Sequence, residues 1–271
     1  VYRGGSQESL NASADGDARM KGQQILNKNF IGSPRHFRRL CQDALELVRR
    51  YGRPTYFITL TCNRHWREFK ELLGKNESVY DRPDVANRVF KLKLDQMLAM
   101  LRGPDGILGP EVYCIHVIEY QKRGLPHVHI ALKTEVEPST PAAVDRVVTC
   151  QLPDPGDTAE TKAFEKKVRS LMFHSCGAWC ENAKTGLCKD GFPFPLEPRS
   201  WQDDFGFWHH KRVRPSIHAQ KNESGKMDKS KLGDEWVVQY NRHILHLWDA
   251  SANVQIAHTV NLIFYLFKYL F

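Results

Sequence analysis

The sequence contains no hydrophobic run long enough to cross a membrane. Its longest nearly apolar stretch, residues 262–271, includes Lys268 and is only half as long as the roughly 20 residues that a membrane-spanning helix needs. Internal repeats and low-complexity tracts are also missing from the sequence. We therefore do not expect an integral membrane protein.

Acidic residues are fewer than basic residues, 31 against 39, which leaves a formal net charge of +8 with histidine neutral. Hydrophobic residues make up 41% of the 271 positions, and aromatic residues make up 11%. A chain of this length and composition can bury most of its apolar surface, which excludes a disordered tail, a collagen-like fibre and a disulfide-stapled miniprotein. We expect one large domain or two small ones.

The chain opens at Val1 without a methionine and stops at Phe271 inside an apolar run, so we expect a fragment of a longer protein. Residues 1–30 are polar and predict a flexible N-terminal arm. Residues 31–271 are predicted to form the main domain. The content of proline and charged residues rises between about residues 137 and 200, where we place an insertion.

Hydrophobic periodicity and capping residues predict an α+β fold with a central antiparallel sheet flanked by helices. The predicted elements are a helix between Ser33 and Gly52, a strand at 56–61, a helix between Pro83 and Gly103, strands at 111–120 and 127–132, a helical stretch at 158–173, short strands at 236–238 and 254–256, and a final helix capped by Thr259. Residues 121–126 are expected to join two of these strands as a hairpin.

Seven cysteines occur in two patterns. Those that occur singly, and that predict buried or incidental thiols of a reducing compartment, are Cys41, Cys62, Cys114 and Cys150. The others follow His174 in the spacing His174-x-Cys176-x3-Cys180-x7-Cys188. Three thiolates and one imidazole make a complete tetrahedral set, which predicts a structural Zn²⁺ site in the insertion. Free thiols in a loop are the alternative.

Two histidines separated by one residue carry the sharpest local signal. On a strand, His127 and His129 project to one side, while Val128 projects to the other. A solvated face that carries two histidines by chance is the alternative. The preceding strand ends near Glu119 and Gln121, either of which can bring an oxygen ligand to the pair. Two nitrogens and one oxygen suit a catalytic divalent ion, with positions left open for substrate.

Tyr265 and Tyr269 lie four residues apart, so a helix places both phenols on one face with Lys268 close by. Taken alone, two such aromatic residues predict core packing. Together with a metal held by His127 and His129, however, a phenolate could attack a phosphodiester and form a covalent phosphotyrosine. Lys268 would help to stabilise the negative charge that develops.

These residues resemble the HUH endonucleases, a superfamily named for two histidines that flank a hydrophobic residue and characterised by tyrosine nucleophiles on a nearby helix. Within that superfamily, the chain is similar to the replication-initiator domain of Helitron transposons. The similar blocks, in the same order along the chain, are FITLTCN at 57–63, EYQKRGLPHVHI at 119–130, GFP at 191–193 and YLFKY at 265–269. The Cys/His pattern also resembles a His-x-Cys block of Helitron proteins.

The resemblance implies an HUH endonuclease fold and a single-stranded DNA endonuclease and strand transferase. Such an enzyme would initiate rolling-circle Helitron transposition through a 5′-phosphotyrosine on Tyr265 or Tyr269. The implied cofactor is Mg²⁺ or Mn²⁺, held by the two histidines. By position, Gln121 is the first choice for the third ligand and Glu119 is the second.

The expected partners are single-stranded DNA and a helicase domain downstream in the full-length protein, and the expected location is the nucleus. Lys122 and Arg123 flank the histidine pair and are predicted to contact DNA. Thr59 and Thr61 are predicted to be ordinary strand residues. Two other functions stay open, a non-catalytic nucleic-acid-binding module on the same scaffold and a metal-dependent nuclease that uses activated water.

Overall fold

The computed structural model describes residues 30–31, 33–120, 124–154, 156–177, 180, 182, 185, 187–217, 228–259 and 261–267. Within these ranges the helices are α1 (Pro34–Tyr51), α2 (Arg67–Leu72), α3 (Pro83–Leu101), α4 (Pro141–Val147), α5 (Ala159–Leu171), α6 (Arg242–Trp248) and α7 (Asn261–Phe267), with a 3-10 turn at Asp234–Trp236. The strands are β1 (Tyr56–Thr61), β2 (Glu111–Tyr120), β3 (Pro126–Thr134), β4 (Trp201–Gln202), β5 (Trp208–His209) and β6 (Ala252–Ile256). The α+β class predicted from the sequence is confirmed.

The central sheet has the strand order β2-β3-β1-β6, and all of its neighbouring strands are antiparallel. β2 and β3 pair as neighbours, as the hairpin prediction requires, whereas β1 lies between β3 and the late strand β6. Strands β4 and β5 form a separate two-stranded ribbon. β3 is therefore an inner strand, and its side chains are covered on both faces.

One face of the sheet forms the larger hydrophobic core. Ile58 and Leu60 of β1 and Val128 and Ile130 of β3 are fully buried there, because alternate residues of a strand share a face. Helices α3 and α6 cover this face and supply further buried side chains, which include Phe90, Leu94, Met97, Ile244, Leu245 and Trp248. The prediction that Val128 faces away from the histidines is confirmed.

The opposite face of the sheet is covered by α1 and α7, which also pack against each other. Ala44 and Val48 of α1 and Ile263 of α7 bury the apolar part of this face, against Phe57 and Ala131. This second core is smaller because polar side chains occupy the rest of the face. The C-terminal helix is thereby held directly over the strand that carries the two histidines.

Local capping explains where several helices begin. The Ser33 hydroxyl accepts a hydrogen bond from the backbone N–H of His36 at 3.1 Å, and Pro34 follows as the first helical residue. Thr259 accepts from the N–H of Asn261 at 3.1 Å where α7 starts. Both caps were predicted from the sequence.

Several short elements differ from the sequence-based expectation, and α2, α4, β4 and β5 are not among the predicted elements. Residues 236–238 were expected to form a short strand, but Trp236 ends the 3-10 turn and Val237 makes an isolated bridge to Phe173. Helix α6 was not predicted; the Asn241 side chain caps it by accepting from two backbone N–H groups. Both segments are short, so local pattern and propensity leave them open to tertiary packing.

The segment of the predicted insertion contributes to the main core. Val148, Leu152, Val168 and Met172 are all buried in the same hydrophobic cluster as the central sheet. The boundaries at residue 31 and at about 137–200 stay predictions. Among the described helices, none has the length and apolar character that crossing a membrane requires.

Candidate metal and nucleophile site

The strand register brings three potential ligands together at one end of the sheet. Glu119 of β2 lies directly opposite His127 of β3, and His129 follows on the same face. The Nε2 atoms of the two imidazoles are 3.0 Å apart. Glu119 Oε1 lies 2.5 Å from Nε2 of His127 and 3.8 Å from Nε2 of His129. Neither histidine is a solvated surface residue, since their exposed fractions are 5% and 6%.

Burial lowers the pKa of both His127 and His129, because a charged imidazolium loses hydration inside the protein. The neighbouring Glu119 carboxylate opposes this shift but does not outweigh burial. For His129, the nearby His127 lowers the pKa further. Both rings are therefore neutral at pH 7, and a neutral imidazole has the lone pair that a metal ligand needs.

Thr59 orients one of the two imidazoles. Its position on β1 is directly opposite His129, and its Oγ1 lies 2.9 Å from Nδ1 of that ring. The ring also stacks on Phe57, with centroids 5.5 Å apart. If Nδ1 donates its proton to Thr59, Nε2 keeps its lone pair facing His127 and Glu119. Strand alternation alone does not predict this role, because the contact between Thr59 and His129 depends on the register between β1 and β3.

The donor set fits a divalent cation. An octahedral ion with bonds of about 2.1 Å holds neighbouring ligand atoms about 3 Å apart, close to the separation of the two Nε2 atoms. The ligand atoms of Glu119, His127 and His129 all lie within 4.8 Å of one another. Three protein ligands leave further coordination positions for substrate oxygens, which is typical of catalytic sites.

Tyr265 of α7 lies beside this cluster. Its ring centroid is 5.6 Å from that of His129, in an edge-to-face arrangement, and 5.9 Å from that of Phe57. Ile263 and Leu266 anchor α7 in the second core. Tyr265 itself remains 38% exposed, so it is not simply a core residue. The helix thus presents one phenol to the histidine site and to solvent.

Several predicted site residues lie outside the described part of the chain. They are Gln121, Lys122, Arg123, Lys268 and Tyr269. Glu119, the second choice for the third ligand, lies against the histidines. The preference for Gln121, the role of Lys268 and the DNA contacts of Lys122 and Arg123 stay predictions.

The second cluster forms as its spacing predicts. Nε2 of His174 lies 3.2 Å from Sγ of Cys188 and 3.6 Å from Sγ of Cys180, and with Cys176 the four ligand atoms are within 4.8 Å of one another. Tetrahedral zinc holds sulfur and nitrogen ligands about 3.5 Å apart. Burial lowers the pKa of His174, which keeps its imidazole neutral. The cluster can therefore hold a metal ion as a closed four-ligand site.

The fold and these clusters define an α+β domain with two candidate metal centres. Residues 5–132 match the family model described as the Helitron helicase-like domain at the N-terminus. The match covers just under half of the chain and begins within the segment predicted to be an arm. It ends in β3, so it includes both histidines but neither Tyr265 nor the cysteine cluster.

Residues 5–132 are therefore similar to this Helitron domain, which suggests a role in Helitron transposition. No curated protein matches the chain.

Proposed function

We propose that the protein is a metal-dependent tyrosine endonuclease of the HUH type, which nicks and transfers single-stranded DNA during Helitron transposition. The observation that carries this proposal is the 5.6 Å approach of the Tyr265 ring to the His129 ring. These residues are 136 positions apart in sequence, and core packing of α7 alone does not require a half-exposed tyrosine at that point. The Helitron-related domain supports the same assignment.

His127, His129 and Glu119 are the residues that would hold Mg²⁺ or Mn²⁺. When bound, the ion supplies Lewis-acid polarisation of the scissile phosphate. The protein's own contribution is to keep both imidazoles neutral by burial and to orient His129 through Thr59. Phe57 packs against both His129 and Tyr265, and so holds the nucleophile in register with the ligands.

The chemical step belongs to the tyrosine. The phenol of Tyr265 loses its proton to solvent, and its oxygen forms a bond to phosphorus. The bond from phosphorus to the 3′ oxygen breaks, and that oxygen takes a proton from solvent to become a 3′-hydroxyl. The 5′-phosphate stays on the tyrosine, which conserves a reactive ester for rejoining. Tyr269 would perform the same attack on a second strand.

The remaining assignments support this activity. His174, Cys176, Cys180 and Cys188 would hold a structural Zn²⁺ that orders the segment between α5 and β4. We propose Lys122 and Arg123 as phosphate contacts next to the metal site and Lys268 as a cation near the nucleophile. A downstream helicase domain and a nuclear location complete the proposal.

A denaturing gel with single-stranded DNA labelled at its 3′ end tests the function. With Mg²⁺ or Mn²⁺ present, we expect a covalent protein–DNA band that protease converts to a short peptide adduct. Tyr265→Phe should reduce the adduct, and Tyr265→Phe combined with Tyr269→Phe should abolish it. Tyr80→Phe is the matched control, because Tyr80 is exposed outside this cluster.

Each alternative gives a different band pattern. Cleavage without any adduct would indicate a nuclease that uses activated water. Salt-sensitive binding without cleavage would indicate a non-catalytic module. An adduct that persists in the double tyrosine variant would overturn the proposed nucleophiles.

A further inference from the structure

A cavity lies on the same face of the sheet as the histidine site. Thr59 pairs with His129 on one side and with Asn253 of the edge strand β6 on the other. Directly paired residues of antiparallel strands share a face, so all three side chains point to the same side. With strands about 4.8 Å apart, Asn253 is two strands, or about 10 Å, from His129.

This cavity has a volume of about 360 Å³, within the size range of small-ligand sites. It lies between β6 and the cysteine cluster. Six of its lining residues carry the argument, namely His174, Phe192, Phe194, Arg212, Asn253 and Gln255. The set combines aromatic rings, two side-chain amides and one guanidinium.

The aromatic wall is formed by rings that contact one another. The Phe192 ring stacks on His174 with centroids 4.3 Å apart and planes 8° from parallel. Phe194 meets Phe192 edge to face at 4.8 Å. The Arg212 guanidinium lies over the Phe194 ring, with its Cζ atom 4.8 Å from the ring centroid. Since His174 belongs to the Cys/His cluster, a metal bound there would also fix this wall.

The amides of β6 supply directional polar groups. Asn253 and Gln255 are two residues apart on one strand and therefore project to the same side. Asn253 Oδ1 is buried and has no hydrogen-bond partner among the described residues. An unpaired buried carbonyl oxygen costs free energy, which a ligand donor would recover. A side-chain amide offers a donor and an acceptor side by side, the pattern that complements a nucleobase edge.

The charges around the cavity favour a neutral planar ligand over a phosphate. Arg212 is buried, and its Nη1 donates to the backbone carbonyl oxygens of Asp234 and Val237, the second at 2.8 Å. Its charge is thus largely engaged by the protein. Asp190 also lines the cavity and would repel an anion. A base, by contrast, can stack on the rings and bond to the amides.

We infer that this cavity binds one unstacked base of the DNA strand and reads its identity through Asn253 and Gln255, with Phe192 and Phe194 as the stacking wall. The inference rests on the proposed function, because the base belongs to the DNA that is nicked at the histidine site. The two sites are separated by two β-strands of the sheet. It assigns sequence preference to residues outside the family match.

Selection from a single-stranded DNA library of random sequence tests this inference without relying on cleavage. The parent protein is the full 271-residue chain with Tyr265→Phe and Tyr269→Phe, which keeps bound strands intact. We expect it to enrich one base at one fixed position. Adding Asn253→Ala should lower that enrichment by about 5- to 100-fold, the range of one bidentate base contact. Gln255→Ala should lower it in the same direction.

Two further variants make the outcome decisive. Gln96→Ala on α3, an exposed glutamine on the opposite side of the sheet, should keep the parental preference. Asn253→Asp keeps the shape but replaces the donor group with an acceptor, so it should change which base is preferred even if Asn253→Ala does not fold. The inference is overturned if the parent shows no position-specific preference, or if the Asn253 variants retain it unchanged.

The outcome is separable from that of the nicking proposal. A base preference that depends on Asn253, in a protein that forms no tyrosine adduct, would refute the nicking mechanism and support the cavity. An adduct that forms normally while Asn253 has no influence on selection would support the nicking mechanism and refute the base-binding cavity.

Discussion

Thr59 lies directly opposite His129, and its hydroxyl oxygen is 2.9 Å from the Nδ1 atom of the imidazole. This contact joins the innermost pair of strands to the candidate metal site. A hydroxyl at this position can accept the Nδ1 proton, which leaves the Nε2 lone pair facing the other ligands, and partners of this kind tune metal affinity without touching the ion. In the sequence, Thr59 looks like an ordinary strand residue. Its contact with His129 on the neighbouring strand is what gives it a role at the site.

Thr59→Val should weaken Mn²⁺ binding by about 10- to 100-fold while leaving the fold intact, because valine keeps the shape but cannot pair with Nδ1. Isothermal titration of the chain with Mn²⁺ measures the change. Thr61→Val on the same strand, opposite His127, is the matched control. Equal affinity of wild type and Thr59→Val would show that the hydroxyl does not orient His129.

Glu119→Gln should weaken Mn²⁺ binding at least as much as Thr59→Val. Oε1 of Glu119 lies 2.5 Å from Nε2 of His127. The variant removes the negative charge of the carboxylate but keeps the shape of the side chain. Gln121→Ala is the informative comparison, since Gln121 was the first choice from the sequence. A larger loss from Gln121→Ala than from Glu119→Gln would reverse the assignment of the third ligand.

Zinc content should be one ion per chain and should depend on the Cys/His cluster. Cys180→Ser replaces a buried ligand of the cluster and should lower the bound zinc below half an ion per chain, measured by elemental analysis after dialysis. Cys114→Ala, a half-buried thiol in β2, should leave the zinc content unchanged. Wild-type protein that contains no zinc after expression in zinc-supplemented medium would contradict the assignment.

Acid should destabilise the fold through His210. Burial, aided by the nearby Arg212 charge, lowers the pKa of His210 to about 4. The unfolded chain binds this proton near pH 6.5, so the unfolded state takes up more protons as pH falls and stability is lost between pH 6.5 and 4. From pH 7 to pH 5 the loss from this group is about 2 kcal/mol.

Urea unfolding at pH 7 and pH 5 measures that loss. In His210→Gln the decrease between the two pH values should be smaller by about 2 kcal/mol than in wild type, because glutamine does not titrate. His246→Gln, which replaces an exposed histidine of α6, should keep the wild-type decrease. An unchanged pH dependence in His210→Gln would show that His210 is not protonated on unfolding.

Local sequence determined the elements that carry the site. Ser33 with Pro34 set the start of α1, and β-branched residues with period-two alternation set β1, β2 and β3. The same alternation put His127 and His129 on one face and Val128 on the other. These features depend on neighbours within a few residues, which is why they can be read without a structure. The short elements α2, α4, α6, β4 and β5 and the turn at 234–236 were missed, because short segments take their conformation from the surrounding packing.

Tertiary structure alone decided which residues meet. The sequence left Gln121 and Glu119 on one face of the same strand, and only the register with β3 set Glu119 against His127. Thr59 lies at the site because β1 pairs with β3. Asn253, more than 120 residues after the histidines in sequence, lies on the same face because β6 pairs with β1. Hydrogen-bonded register and helix docking are long-range choices of the whole chain, so no local pattern carries them.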